Sequence, residues 1–122
     1  MVPRIGQRVF VADSALVMGD VQVGDEASIW FNCVIRGDVN FIRIGARSNV
    51  QDMSCIHVTN HRWPTILEDE VSVAHNVMLH GCTLRRGAMI GMSTTIMDGA
   101  VIGEGCLVAA GSLVKEGFQA PP

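Results

Sequence analysis

The chain has 122 residues, 48% of them apolar and 17% charged, with a formal net charge of −3. These figures describe one folded domain over residues 1–122 and exclude a disordered chain. The acidic balance argues against nucleic acid or an anionic membrane as a partner, and no apolar run has the length of a signal peptide or a membrane span.

Taken in order, the chain beats in sixes. Aliphatic residues recur at Val11, Val17, Val23, Ile29 and Ile35, then at Ile44, Val50 and Ile56. They resume at Leu67, Val73 and Leu79, and again at Leu84, Ile90, Ile96, Ile102, Val108 and Val114. Many carry a small residue four places on, among them Ala27, Cys33, Ser48, Ser54, Thr83, Ala88 and Thr94. An amphipathic helix needs apolar spacings of three and four, and a hairpin sheet needs strict alternation; period six supplies neither. It fits a prism of short parallel strands. One aliphatic side chain per hexapeptide points to the axis, small residues fill the corners, and glycines take the turns.

The beat slips three times. The step from Ile35 to Ile44 is nine, that from Ile56 to Leu67 is eleven, and that from Leu79 to Leu84 is five. All four histidines lie near these slips. His57 follows Ile56, His80 follows Leu79, His75 stands two places after Val73, and His61 falls in the loop of the eleven-residue step. If that step is one hexapeptide plus a loop, Ile56 and Leu79 stack on one face and bring His57 and His80 one strand spacing apart. If it is two short hexapeptides, His57 and His75 share a face. The spacing leaves both open. A single histidine in such a place is more often a hydrogen-bonded residue than a ligand, but three within two places of a beat aliphatic and beside projecting loops point to a divalent-metal site. The four cysteines, Cys33, Cys55, Cys82 and Cys106, form no CxxC pair and read as small buried thiols of a reducing compartment, the cytoplasm.

Several segments add a resemblance to this reading. Arg36-Gly37-Asp38, Asn49-Val50-Gln51-Asp52, Ile56-His57-Val58, and Ala74-His75-Asn76 through Leu79-His80-Gly81-Cys82 resemble the γ-class carbonic anhydrases and their bacterial homologues, over about Val9 to Val114. The resemblance implies an all-β fold, the left-handed parallel β-helix of hexapeptide repeats. Three hexapeptides make each triangular turn, so five to six turns are expected. It implies a homotrimer with one divalent metal per subunit, His57 and His80 coming from one subunit and His75 from its neighbour. Zinc is the first expectation, with iron and cobalt also suited to imidazole. The implied reaction is hydration of CO2 to bicarbonate by a metal-bound hydroxide. Gln51 would orient the metal-bound solvent with Asn49 beside it, while Arg36, Asp38 and Asp52 would join subunits through ion pairs.

The chain departs from that family in two places. Members usually continue into a C-terminal α-helix, whereas no helical segment follows Val114 here. The most active enzymes place a glutamate directly after the RGD triplet and an acidic loop near the metal; this chain has Val39 and Thr59-Asn60-His61-Arg62-Trp63. Export of the proton then falls to His61 or to Glu68, Asp69 and Glu70. Two other functions fit the same pattern. One is a metal-binding homologue with little hydratase activity, in an accessory role or acting on another small substrate. The other is a CoA-dependent acyltransferase, which shares the prism but needs only one histidine as base.

Overall fold

A computed structural model describes all 122 residues. Seventeen strands and no helix coil into a left-handed parallel β-helix of about six turns. Each named strand pairs in parallel with the strand one coil above or below. The first face of the prism stacks Phe10–Val11, Ser28–Ile29, Asn49–Val50, Ser72–Val73, Met89–Ile90 and Leu107–Val108. The second carries Cys55–His57, Met78–His80, Thr95–Ile96 and Leu113–Val114, stacked on the first half of Val34–Ile44. The third carries Thr65–Leu67, Thr83–Leu84, Val101–Ile102 and Gln119–Ala120, stacked on its second half. Leu16–Val23 and Val34–Ile44 run unbroken from the second face to the third, so those two faces are one continuous sheet.

The six-residue beat is the inward row. Ile29, Ile35, Ile56, Leu79, Leu84, Ile90, Ile96 and Ile102 are wholly buried, within one cluster of 25 apolar residues. The row extends one step beyond the beat at each end. Arg4–Ile5 pairs with Gln22 and Val23, and Gln119–Ala120 pairs with Val101–Ile102. Residues after Val114 thus add a strand and no helix, as expected.

Small corner residues also bind the coils together. Ser48 Oγ donates to the Glu68 carbonyl (3.0 Å) and accepts from the Val71 amide (3.1 Å). Ser54 Oγ does the same between Ala74 (2.8 Å) and Val77 (3.0 Å). Two corner expectations need correction. Because the step after Leu79 is short, buried Cys82 precedes the strand and Thr83 lies within it. Most turns place the third residue after the inward aliphatic in the left-handed region, but glycine fills that place mainly near the C-terminal end. Glu26, Asn32, Arg47, Met53, Glu70 and Asn76 hold it earlier, at φ from 56° to 67°.

Candidate metal centre

His57 and His80 are direct cross-strand partners, with Ile56 opposite Leu79 beneath them. The eleven-residue step is therefore one hexapeptide plus a loop, and the loop is pinched by an antiparallel bridge between Thr59 and Trp63. His57 Nδ1 and His80 Nε2 approach to 3.2 Å, their rings meeting edge to face at 67°. Two tetrahedral ligands, each ~2.0–2.1 Å from one ion, would stand roughly 3.3 Å apart.

The outward nitrogen of each ring meets a carboxylate. His57 Nε2 donates to Asp38 Oδ1 at 2.9 Å, and His80 Nδ1 donates to Asp98 Oδ1 at 2.7 Å. A carboxylate oxygen only accepts, so each ring proton sits on its carboxylate side. When both rings are neutral, the lone pairs of His57 Nδ1 and His80 Nε2 face one another across the gap. Such an arrangement repels unless a cation lies between them, and paired neutral imidazoles backed by carboxylates fit a divalent metal.

Both carboxylates are held ionised. The hydrogen bond from His57, with the Arg36 guanidinium adding to it, brings Asp38 down to about 2. Burial alone would raise Asp98, but hydrogen bonds from Thr59 and His80 outweigh it and lower the group. Each insertion in the beat supplies part of this support. Asp38 projects from the stretch after Ile35, where the strand pairing is irregular opposite Gly19 and Val21. Thr59 begins the second loop; its Oγ1 donates to Asp98 Oδ2 at 2.6 Å, and its carbonyl accepts from Asn40 Nδ2 at 3.1 Å. Trp63 lies over Gly81 and Gly99, where a Cβ at Gly99 would meet the indole at 3.1 Å. Arg62 rests on the Trp63 ring.

His75 lies elsewhere. It is exposed, two places past Val73, in an open groove with Asn49, Gln51, Asp52, Trp30 and Phe31. Gln51 Nε2 donates to Asn49 Oδ1 (2.9 Å), and Asn49 Nδ2 donates to Ser72 Oγ (3.0 Å). Within one chain no three metal-ligating side chains converge. Arg36 and Asp38, read from the resemblance as joining subunits, pair with each other inside the chain.

His61 is exposed in the second loop at φ 63°. Glu68, Asp69 and Glu70 turn the corner from the third face to the first, away from the histidine pair. Glu68 holds Arg85 and the Arg86 amide, Asp69 accepts from the Ala46 amide, and Glu70 pairs with Arg86 and Arg47. Sequence reasoning missed Asp98, Thr59 and Thr65. Asp98 had a readable signal, since it stands 18 residues after His80, one coil further along the prism. Thr65 Oγ1 donates to the His57 carbonyl (2.6 Å) and accepts from the Gly81 amide (2.8 Å).

The sequence pattern of the family described as bacterial transferase hexapeptide (six repeats) matches residues 3–37 and 81–116. The chain is 49% identical over 98 residues to a protein of Geobacillus kaustophilus named carbonic anhydrase, covering 80% of this chain and 53% of that one. It is 45% identical over 102 residues to gamma carbonic anhydrase 2, mitochondrial, of Arabidopsis thaliana, covering 80% and 37%. A Bacillus cereus crystal structure, titled "putative acetyltransferase", matches with a TM-score of 0.96 and 52% identity, covering 98% of this chain and 69% of that one. The chain thus spans about half or less of the length of these two curated relatives.

Proposed function

The chain belongs to the hexapeptide-repeat family, where the γ-class carbonic anhydrases are its relatives, and from that premise we propose that it hydrates CO2 to bicarbonate at a divalent-metal site shared between the subunits of a homotrimer. The observation that carries this reading is the approach of His57 Nδ1 and His80 Nε2 to 3.2 Å, each ring backed by a carboxylate on its other nitrogen. Two imidazoles leave a tetrahedral ion short of ligands, and the family resemblance gives His75 as the third. It stands on another corner of the same chain, so a neighbouring copy would bring it, and a threefold ring would complete three equivalent sites. Zinc is the metal we favour. When bound, such an ion makes hydroxide available near neutral pH.

The chain's own residues would divide the remaining work. His75 would arrive with Gln51 and Asn49, which line the same groove. One Gln51 N–H is committed to Asn49, which leaves its other N–H and its carbonyl to orient water and substrate. Trp30 and Phe31 would wall the groove on its apolar side and keep bulk water from the CO2. His61, on the loop beside the histidine pair, would take the proton outward. The four free thiols fit a cytoplasmic home.

A second reading is favoured by one observation. The residue after the RGD triplet, Val39, is exposed and carries no acid, while the nearby carboxylates Asp38 and Asp98 are both engaged. That poverty of proton carriers fits a metal-binding homologue with little hydratase activity.

The test is metal content per chain on protein purified without chelator, measured with its mass in solution. About one zinc per chain in a trimer, with CO2 hydration lost on chelation and regained with zinc, supports the proposal. A metal-loaded trimer without hydration selects the second reading, and a metal-free monomer removes both. Tight binding of acetyl-CoA would instead favour acyl transfer.

A further inference from the structure

We propose that Asp98 is a positioning residue for His80: it fixes the ring as the tautomer that turns a bare Nε2 toward His57, and so prepares one of the two ligands that a single chain supplies. The inference rests on the metal-dependent reading above, which it deepens.

The argument is geometric. An isolated neutral imidazole places its proton on either nitrogen, and a ring carrying it on Nε2 would aim an N–H at His57 and could not ligate. Asp98 Oδ1 lies 2.7 Å from His80 Nδ1, and an ionised carboxylate there accepts a proton and cannot donate one. Its other oxygen is also committed, accepting from Thr59 Oγ1 at 2.6 Å. With both oxygens held, the carboxylate cannot swing away from the ring. Thr59 is itself steadied by Asn40, whose amide reaches its carbonyl, and by the backbone bridge to Trp63. The orientation of His80 therefore depends on both insertions in the six-residue beat, although His80 itself lies in neither. His57 is held differently. Its carboxylate, Asp38, is exposed and steadied by Arg36 within a few residues. Removing Asp98 should loosen His80 and leave the tautomer of His57 unchanged.

The experiment uses the full chain and two variants, Asp98→Ala and Asp98→Asn. Asparagine can keep its amide oxygen on His80 while its amide nitrogen faces the Thr59 hydroxyl, so it should preserve the tautomer; alanine cannot. The first readout is the proton position on His80, from long-range nitrogen-15 spectra of the metal-free protein at mildly alkaline pH. The second is zinc affinity by competition with a chromophoric chelator. We expect the proton on Nδ1 in the unsubstituted chain and in Asp98→Asn, and a mixture of tautomers in Asp98→Ala. Zinc affinity should fall about 10- to 100-fold in Asp98→Ala and largely recover in Asp98→Asn.

A proton on Nε2 in the unsubstituted, metal-free protein overturns the proposal without any variant having to fold. So does Asp98→Ala with unchanged tautomer and zinc affinity. If the unsubstituted chain binds no zinc, the metal-dependent reading fails, and the spectra alone still decide whether Asp98 sets the ring. If zinc binds and Asp98→Ala changes nothing, the metal-dependent reading survives and Asp98 loses its role.

Discussion

The Thr65 hydroxyl bridges the backbone behind both paired histidines, donating to the carbonyl of His57 at 2.6 Å and accepting from the amide of Gly81 at 2.8 Å. Thr65 is wholly buried at the point where the loop rejoins the coil. A single side chain thus fixes the separation of two strands at the level of the site. Thr65→Val keeps the shape and removes both hydrogen bonds, leaving the Gly81 amide only its longer contact to the His57 carbonyl at 3.2 Å. We expect a loss of about 1–3 kcal/mol in urea unfolding, with Thr65→Ser losing much less. No loss in Thr65→Val, or a larger loss in Thr65→Ser, would mean that the methyl group, and not the hydroxyl, is what matters.

Coil spacing makes a second prediction. A Cβ placed on Gly24 would stand 2.6 Å from the Ala46 amide nitrogen and 2.9 Å from the Gly45 carbonyl carbon. Both belong to the next coil's backbone, which parallel pairing holds in place. Gly24→Ala should cost about 1–3 kcal/mol through overpacking. Gly105→Ala meets nothing within 4 Å and forces only a left-handed φ of 68° on alanine, at roughly 1–2 kcal/mol. The two separate by their effect on neighbours: chemical shifts around Ala46 should move in Gly24→Ala, while those around Gly87 stay put in Gly105→Ala.

How much of this was legible in the chain follows from the same geometry. Period six is the repeat of the fold itself, so the inward row from Val11 to Val114 could be counted, and the stacking of His57 on His80 followed from one choice at the eleven-residue step. Ile5 and Ala120 also keep the count, but they fall where the beat has no neighbour on one side to announce it. The carboxylates behind the rings were harder to see. Asp98 looks like any polar corner residue until its coil is stacked on that of His80. Thr59 and Thr65 sit in a loop that the repeat does not describe. The left-handed turns at Glu26, Arg47 and Met53 carry no glycine to mark them; there the stacked coils hold a backbone shape that the residue itself disfavours.

Alkaline pH should reveal the buried thiols. Burial pushes the Cys82 thiol from 9.0 up to about 12 in the folded chain. A group whose folded pKa is raised holds its proton more tightly when folded. Its contribution is therefore complete below about pH 9 and is lost as pH rises from there toward 12, at about 1.4 kcal/mol per pH unit per thiol. Cys33 and Cys55 shift in the same direction, also through burial, and add to the slope. The urea midpoint should stay level through neutral pH and fall above about pH 9. Cys82→Ala should lower stability at neutral pH through its cavity yet flatten the alkaline slope. An unchanged slope would place its origin elsewhere.

The sharpest test of a shared site is to mix two dead variants. His57→Ala removes a ligand from the second-face half, and His75→Ala removes one from the groove half. Alone, each should lose bound zinc and hydration together. Unfolded, mixed in equal amounts and refolded, they would form trimers in which a His75→Ala subunit offers an intact His57 and His80 to an intact His75 on a His57→Ala neighbour. Random assembly of a threefold ring restores roughly a quarter of the sites, because three trimers in four are mixed and each holds one good interface. Zinc content and hydration should both return to about that level. In a mixture of His57→Ala with His80→Ala every subunit lacks one histidine of the second-face half, so no interface is complete and nothing should be recovered. Recovery in that control, or none in the first mixture, would show that the three histidines are not divided between subunits in this way.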